Sequence, residues 1–170
     1  WDVNSAGVIT RGSGWKTAAQ STALNWEYTF SQDFDSNGLI SGGSSYLLAG
    51  PNGPITLRSR RGWRPSDRST PNGDITHAVR TSSGYKVLFS GDAAFEDKFS
   101  IWNVNRSGII TSRTGWKTST TAASLNWEHT FSTDLDNNGL ISGGASYRLA
   151  GPNGPITLRS RRGWRPSDRS

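Results

Sequence analysis

An aspartate-rich loop that occurs twice in the chain has the residue types and spacing suited to binding a metal ion. Each copy places side-chain oxygens at positions 1, 3, 5 and 9 and glycine at position 6, where a calcium loop of the EF-hand type turns sharply. A leucine at position 7 can offer its carbonyl oxygen. The spacing therefore predicts two Ca²⁺ sites, with ligands from Asp33, Asp35, Asn37, Leu39 and Ser41, and from Asp134, Asp136, Asn138, Leu140 and Ser142.

These loops depart from the EF-hand pattern at position 12. An EF-hand has a bidentate glutamate there, whereas this chain has Ser44 and Ala145. An ion would need water or residues from elsewhere to complete its shell. In the alternative interpretation, Asp and Asn only cap and turn the chain after a helix. Glu27 and Glu128 precede the first aspartate by six residues, about 9 Å along a helix, so we expect them to form salt bridges.

A second cluster of chemically distinctive residues combines arginine with tryptophan. Ten of the 19 Lys and Arg residues lie in two arginine-rich segments, and the net charge is +6. Such a cluster can grip sulfate, phosphate or carboxylate groups of a polyanion through forked hydrogen bonds. Alternatively, it pairs with acidic loops of the same or the next unit. The residues expected at either contact are Arg58, Arg60, Arg61, Trp63, Arg64, Arg159, Arg161, Arg162, Trp164 and Arg165.

The sequence offers no convergent catalytic set. His77 and His129 lie in different contexts, and neither has a nucleophile or ligand spacing nearby. Asp33 and Asp35 are two residues apart on a polar loop, which suits an ion better than an acid and base pair. We expect no enzymatic activity, and no recognition-helix pattern supports nucleic-acid binding.

Composition favours short strands over a helical bundle. Only 32% of the 170 residues are hydrophobic, while 20 are Gly and eight are Trp. The absence of Cys excludes disulfides and thiolate metal sites. No run of about 18 apolar residues predicts a membrane span.

The chain contains a long internal repeat with a period of 101 residues. Residues 1–69 align with 102–170 without a gap, and 50 of these 69 positions are identical. We interpret 1–69 as a truncated first repeat and 70–170 as a complete second repeat, so the first unit should expose a sheet edge. Copies of the chain or adjacent repeats are the expected partners, through strand or edge complementation.

Alternation and turn residues predict three kinds of hairpin per unit. They comprise 77–81 with 85–90, 98–104 with 109–111, and 46–48 with 55–58. Helices are predicted over 24–34 and 125–135, and the inner face of the first contains Leu24, Glu27, Phe30 and Phe34. The expected fold class is mainly β, with antiparallel hairpins, one short helix and one Asp-rich calcium-type loop per repeat of about 101 residues.

The order of these motifs resembles the tryptophan-rich C-terminal repeat of large cyanobacterial surface and secreted proteins. The resemblance is carried by Tyr85-Lys86-Val87-Leu88, Trp102, Leu125 with Glu128 and Phe131, and the loop from Asp134 to Gly139. It implies a cell-surface or extracellular repeat protein that binds calcium. We therefore predict an extracellular calcium-binding structural repeat that assembles into a cell-surface layer, sheath or filament. The alternative is a module of a larger secreted protein that binds anionic polysaccharide.

Overall fold

The computed structural model describes residues 1–66, 69–151 and 154–159. In chain order, the strands are β1 (Asp2–Val3), β2 (Ile9–Arg11), β3 (Leu39–Ile40), β4 (Leu47–Leu48), β5 (Ile55–Thr56), β6 (Gly73–Arg80), β7 (Gly84–Gly91), β8 (Lys98–Asn105), β9 (Ile110–Arg113), β10 (Lys117–Thr118), β11 (Leu140–Ile141), β12 (Arg148–Leu149) and β13 (Ile156–Thr157). The α-helices are α1 (Ala18–Ala23), α2 (Trp26–Phe30), α3 (Ser119–Ser124) and α4 (Trp127–Phe131), and a 3₁₀ turn spans Ala93–Phe95. The expected mainly β fold with short helices is confirmed.

A central antiparallel sheet runs in the order β10-β8-β7-β6, and β9 also pairs with β8. The predicted hairpins of this region are present with longer strands. Successive side chains of a strand point to opposite faces, so Val87 and Trp102 pack on one face while Leu88 and Ile101 pack on the other. The central sheet is therefore apolar on both faces.

Each face of the central sheet is covered by a different segment. The small sheet β3-β4-β5 covers one face, where Leu39, Tyr46, Leu48 and Leu57 join the core cluster of the central strands. The paired helices α3 and α4 cover the other face through Ala122, Trp127, Phe131 and the following Leu135. The middle layer is thus built from the segment between the two sequence copies and from the first strands of the second copy.

The predicted continuous helices at 24–34 and 125–135 are wrong. The chain forms two short helices in each copy, because Asn25 and Asn126 adopt left-handed backbone conformations with φ of 57° and 62°. Asparagine tolerates this region better than most residues. Thr17 starts α1 with a capping box to Gln20.

The inner face predicted for the first helix is also wrong. Of its four residues only Glu27 is buried, while Leu24, Phe30 and Phe34 are exposed. In the second copy Phe131 is buried because α4 packs against the central sheet. Burial at this position therefore depends on the sheet beneath the helix. No helix in the described ranges is long and apolar enough to cross a membrane.

Candidate metal centre

A buried glutamate lies at the base of each aspartate-rich loop. After α2, Ser31 takes a left-handed conformation with φ of 53°, and the chain turns back over Glu27. The Oε1 atom of Glu27 accepts hydrogen bonds from Phe34 N at 3.2 Å and Thr22 Oγ1 at 3.1 Å. Its Oε2 atom accepts from Ser41 N at 3.2 Å and Ser41 Oγ at 3.0 Å. These bonds fix the carboxylate beneath the loop.

Three carboxylates converge at this point. One oxygen from each of Glu27, Asp33 and Asp35 lies within 4.8 Å of the other two. Asp33 Oδ2 accepts a hydrogen bond from Gly38 N at 2.9 Å, but the buried Asp33 Oδ1 has no hydrogen-bond partner among the described residues. A buried carboxylate oxygen without a donor is costly. A cation placed among the three groups would satisfy it.

The second copy repeats the arrangement with Glu128, Asp134 and Asp136, again within 4.8 Å. Glu128 Oε1 accepts from Leu135 N at 2.9 Å, and its Oε2 accepts from Ser142 N at 2.9 Å and Ser142 Oγ at 2.7 Å. The same local fold therefore produces a carboxylate triplet at two places in the chain.

The electrostatics of both triplets favour a positive partner. Burial raises the pKa of Asp35, the N–H of Asn37 opposes this, and the negative charges of Glu27 and Asp33 raise the pKa further. The pKa of Asp136 is raised by desolvation and by Glu128 and Asp134 in the same way. The charged groups that raise these two pKa values are all carboxylates, so they repel the ionised aspartate. A divalent cation would convert this repulsion into attraction.

The remaining predicted ligands have other roles in this structure. Asn37 donates from Nδ2 to Asp35 Oδ2 at 3.2 Å and accepts from Leu39 N at 2.8 Å. In the second copy, Asn138 Oδ1 accepts from Leu140 N at 2.7 Å. Leu39 and Leu140 lie in β3 and β11, and Ser41 and Ser142 donate to the glutamates. The structure therefore brings the two aspartates of each loop together with a glutamate, and it uses the other three positions for hydrogen bonds and strand pairing.

The glutamate is the component that sequence reasoning missed. The argument that Glu27 lies too far along a helix from Asp33 is wrong, because the helix ends at Phe30 and the chain reverses. Among the described residues, Glu27 makes hydrogen bonds to the loop in place of the expected salt bridge. One signal was available: Glu is identical in both copies, whereas the next residue is Tyr28 in one and His129 in the other. The third carboxylate of each cluster thus comes from before the loop, and not from position 12.

No family model, curated protein or solved structure matches this chain. The resemblance to the cyanobacterial surface repeat therefore stays a prediction.

The first loop is also tied to the central sheet. Ala78 N of β6 donates a hydrogen bond to Asn37 O at 2.8 Å. Gly38, with φ of 83°, comes so close to β6 that a Cβ atom there would lie 1.9 Å from Ala78 O. Its counterpart Gly139 has the same φ but nothing within 4 Å of that position. Among the described residues, the glycine turn of the first loop therefore packs against a strand, whereas that of the second loop does not.

The described part of the first arginine-rich segment faces solvent. Arg58, Arg60, Arg61 and Arg64 are exposed, and Trp63 lies 6.2 Å from Trp102 between ring centroids. Arg159 is exposed in the second segment, while Arg161, Arg162, Trp164 and Arg165 lie outside the described residues.

Arg60 and Arg61 line a groove of about 350 Å³ together with residues 110–113. Arg113 is one of these lining residues, and its guanidinium lies 4.3 Å from the Trp102 ring centroid. The groove therefore combines three cationic side chains.

Proposed function

We propose that this chain is a non-enzymatic, extracellular calcium-binding structural repeat protein whose units assemble into a cell-surface layer, sheath or filament. The observation that carries the proposal is the carboxylate triplet Glu27, Asp33 and Asp35, which recurs as Glu128, Asp134 and Asp136. Hard oxygen ligands suit Ca²⁺, and the chain has no Cys to supply soft thiolates.

Calcium would act on the fold through the loop that it orders. The triplet joins α2 to the loop and to the end of β3, because Glu27 of α2 accepts hydrogen bonds from Phe34 and from Ser41, the residue after β3. Neutralising the three carboxylates would hold these elements together in a unit with short strands and no disulfides. A loop with few protein ligands fits the weak affinity, Kd about 10⁻⁴ to 10⁻³ M, typical of extracellular calcium modules.

The test is thermal unfolding with calcium and with chelator, together with calorimetric titration. At about 100 times Kd one bound ion adds roughly 2.7 kcal/mol, which raises Tm by about 5–10 °C in a chain of this size. Titration should give two ions per chain. A melting curve that is indifferent to calcium and chelator would contradict the proposal.

The double variant Asp35→Asn with Asp136→Asn sharpens this test. It should remove the calcium-induced shift while raising Tm in chelator, because it relieves repulsion among the carboxylates. The charge-matched control is Asp92→Asn with Glu96→Gln, two exposed acids outside the triplets. The control should retain the full calcium shift.

The exposed arginine groove supports a second candidate, an anionic-polysaccharide-binding module. Arg60, Arg61 and Arg113 surround one groove, an arrangement suited to sulfate or carboxylate groups. On a heparin column we expect elution above physiological salt, and earlier elution of Arg60→Gln with Arg61→Gln. The matched control is Arg11→Gln with Lys16→Gln, which removes the same charge from exposed positions outside the groove. Equal shifts for both variants, or elution below physiological salt, would dismiss this candidate.

A further inference from the structure

An interface between successive units already exists inside the chain. Leu48 and Leu57, on either side of the β4–β5 turn, are buried against strands β6–β9, where they meet Trp102 and Ile110. Backbone hydrogen bonds close the contact: Arg58 N donates to Gly108 O at 2.9 Å, and Ile110 N donates to Arg58 O at 2.8 Å.

One half of this interface recurs at the other end of the described chain without a cover. Residues 149–159 repeat the sequence of 48–58 without a change, and β11-β12-β13 pair in the same order and register as β3-β4-β5. Leu149 is 38% exposed, however, whereas its counterpart Leu48 is fully buried. Ile156, the counterpart of the half-buried Ile55, is 58% exposed. The sheet β11-β12-β13 presents an apolar face with no occupant among the described residues.

The other half recurs in the hairpin of β1 and β2. Trp1 is 81% exposed and Ile9 is 56% exposed, while their counterparts Trp102 and Ile110 are only 3% and 7% exposed. The hairpin therefore displays the apolar side chains that a three-stranded sheet covers elsewhere in the chain.

A glycine in this hairpin already has the conformation of the buried contact. Gly7 and Gly108 share a φ of 77°. At Gly108 a Cβ atom would lie 2.2 Å from Thr56 O, so the covering sheet requires glycine there, whereas at Gly7 nothing lies within 4 Å. Gly7 thus leaves open the space that Thr56 fills at its counterpart.

We propose that the occupant of the β11-β12-β13 face is a second copy of this chain, which docks there through its β1-β2 hairpin. The backbone of Arg159 would bond to Gly7 and Ile9 of the second copy, as Arg58 bonds to Gly108 and Ile110 within the chain. The proposal rests on the proposed assembly function and names its contact surfaces.

This contact is head-to-tail, because it joins two different surfaces of the same chain. Unless a rotation closes it into a ring, such a contact generates open chains of copies. The internal interface also includes β6 and β7, which the β1-β2 hairpin does not bring with it. The contact between separate chains should therefore be weaker than the internal one and depend on concentration.

Sedimentation velocity or light scattering across a concentration series tests the association. Wild type should form oligomers that dissociate on dilution, whereas Ile156→Glu and Ile9→Glu should each stay monomeric, since both residues are exposed and tolerate a charge in the monomer. The control is Leu125→Glu: Leu125 and its counterpart Leu24 are exposed to the same extent in both copies, so this position lies outside the contact. A monomeric wild type at all concentrations, or association unchanged by both interface variants, would overturn the proposal.

Disulfide trapping tests the orientation. The chain has no Cys, and Arg58 and Ile109 form a β-bridge whose counterparts are Arg159 and Val8. A mixture of Val8→Cys and Arg159→Cys chains should form a cross-linked heterodimer under mild oxidation, because bridged residues lie within disulfide reach. Replacing Arg159→Cys by Leu125→Cys should abolish rapid cross-linking, and equal rates would refute the proposed orientation.

The outcome separates this inference from the calcium proposal. Ile156→Glu should abolish association while keeping the calcium-induced shift in Tm. Asp35→Asn with Asp136→Asn should remove that shift. Association without any calcium effect would contradict the metal site alone. A calcium effect without association would contradict the docking surface alone.

Discussion

The contact between the first loop and β6 can be tested with one pair of matched substitutions, Gly38→Ala and Gly139→Ala. Both glycines have φ of 83° and occupy the same position in their loops. They differ in their surroundings: a Cβ atom at Gly38 would overlap Ala78 O at 1.9 Å, whereas Gly139 has open space. The two variants therefore share the backbone cost and differ only in packing.

The expected magnitudes follow from these distances. A left-handed conformation costs an alanine about 1–2 kcal/mol, so Gly139→Ala should lower the free energy of unfolding by that amount. At Gly38 the loop must also move away from β6, which adds about 1–3 kcal/mol of overpacking strain. The move weakens the Ala78 N to Asn37 O hydrogen bond, which is worth about 1 kcal/mol. Gly38→Ala should therefore cost about 3–6 kcal/mol in total.

Urea denaturation followed by tryptophan fluorescence measures both variants, since the chain contains eight Trp residues. It should be performed in chelator, so that changes in metal affinity do not contribute. Equal destabilisation by the two substitutions would refute the conclusion that the glycine turn packs against a strand in the first loop and not in the second.

Three further predictions concern the core and the ionisable groups. Leu48→Ala should lower the free energy of unfolding by about 2–5 kcal/mol, whereas Leu149→Ala in the dilute monomer should cost less than about 1 kcal/mol; urea midpoints that match would argue against the one-sided cover. Burial lowers the pKa of His77, so the unfolded state binds the proton more readily than the folded state. The contribution of His77 to the free energy of unfolding should therefore be constant above pH about 6.5. It should fall as the pH drops from there towards the folded-state pKa. In His77→Gln the part of the pH dependence due to this group should disappear from unfolding curves, and an unchanged profile would exclude it as the cause. Calcium binding requires ionised carboxylates, and the pKa of Asp35 is raised. On acidification, the calcium-induced Tm shift should therefore begin to shrink at a pH above the ordinary pKa range of aspartate. A Tm shift that stays constant down to about pH 4 would contradict this.

The hairpins of the central sheet were predictable because their signals are local. Alternating apolar residues around Gly84 and around the turn before Ile109 predict paired strands, and both hairpins form. The short strand β3 was missed, since Leu39 and Ile40 lie within the stretch interpreted as a metal loop. A two-residue strand leaves no period to detect.

The helices were predictable in place but not in form. The 3.6-residue period of Leu24, Glu27 and Phe30 continues across a backbone break that composition does not reveal. A continuous helix would place Glu27 far from Asp33, whereas the observed break and reversal bring the two side chains together. The spacing of the aspartates still identifies side chains that lie close together, because it depends on neighbouring residues alone.

Burial of the repeated apolar residues could not be predicted from either copy alone. Trp1 and Trp102 are equivalent in sequence, yet one is exposed and the other is buried. The difference arises from which long-range segment covers each residue. A local pattern identifies a face that can be buried, whereas tertiary contacts decide whether it is.

The β6–β9 core is covered by residues of the first copy, so the boundaries of this packed unit differ from those of the sequence repeat. Residues 39–57 of the first copy complete the core formed by β6–β9, and the loop preceding them contacts β6 through Asn37 and Ala78. An ion bound by Asp33 and Asp35 would therefore order a loop that also belongs to the boundary between units. Since any ligand that prefers the ordered loop stabilises every contact depending on it, metal binding at the first triplet should strengthen the packing of β3-β4-β5 on the central sheet. The second triplet should lack a comparable coupling to β11-β12-β13, because nothing lies within 4 Å of a Cβ atom at Gly139 among the described residues.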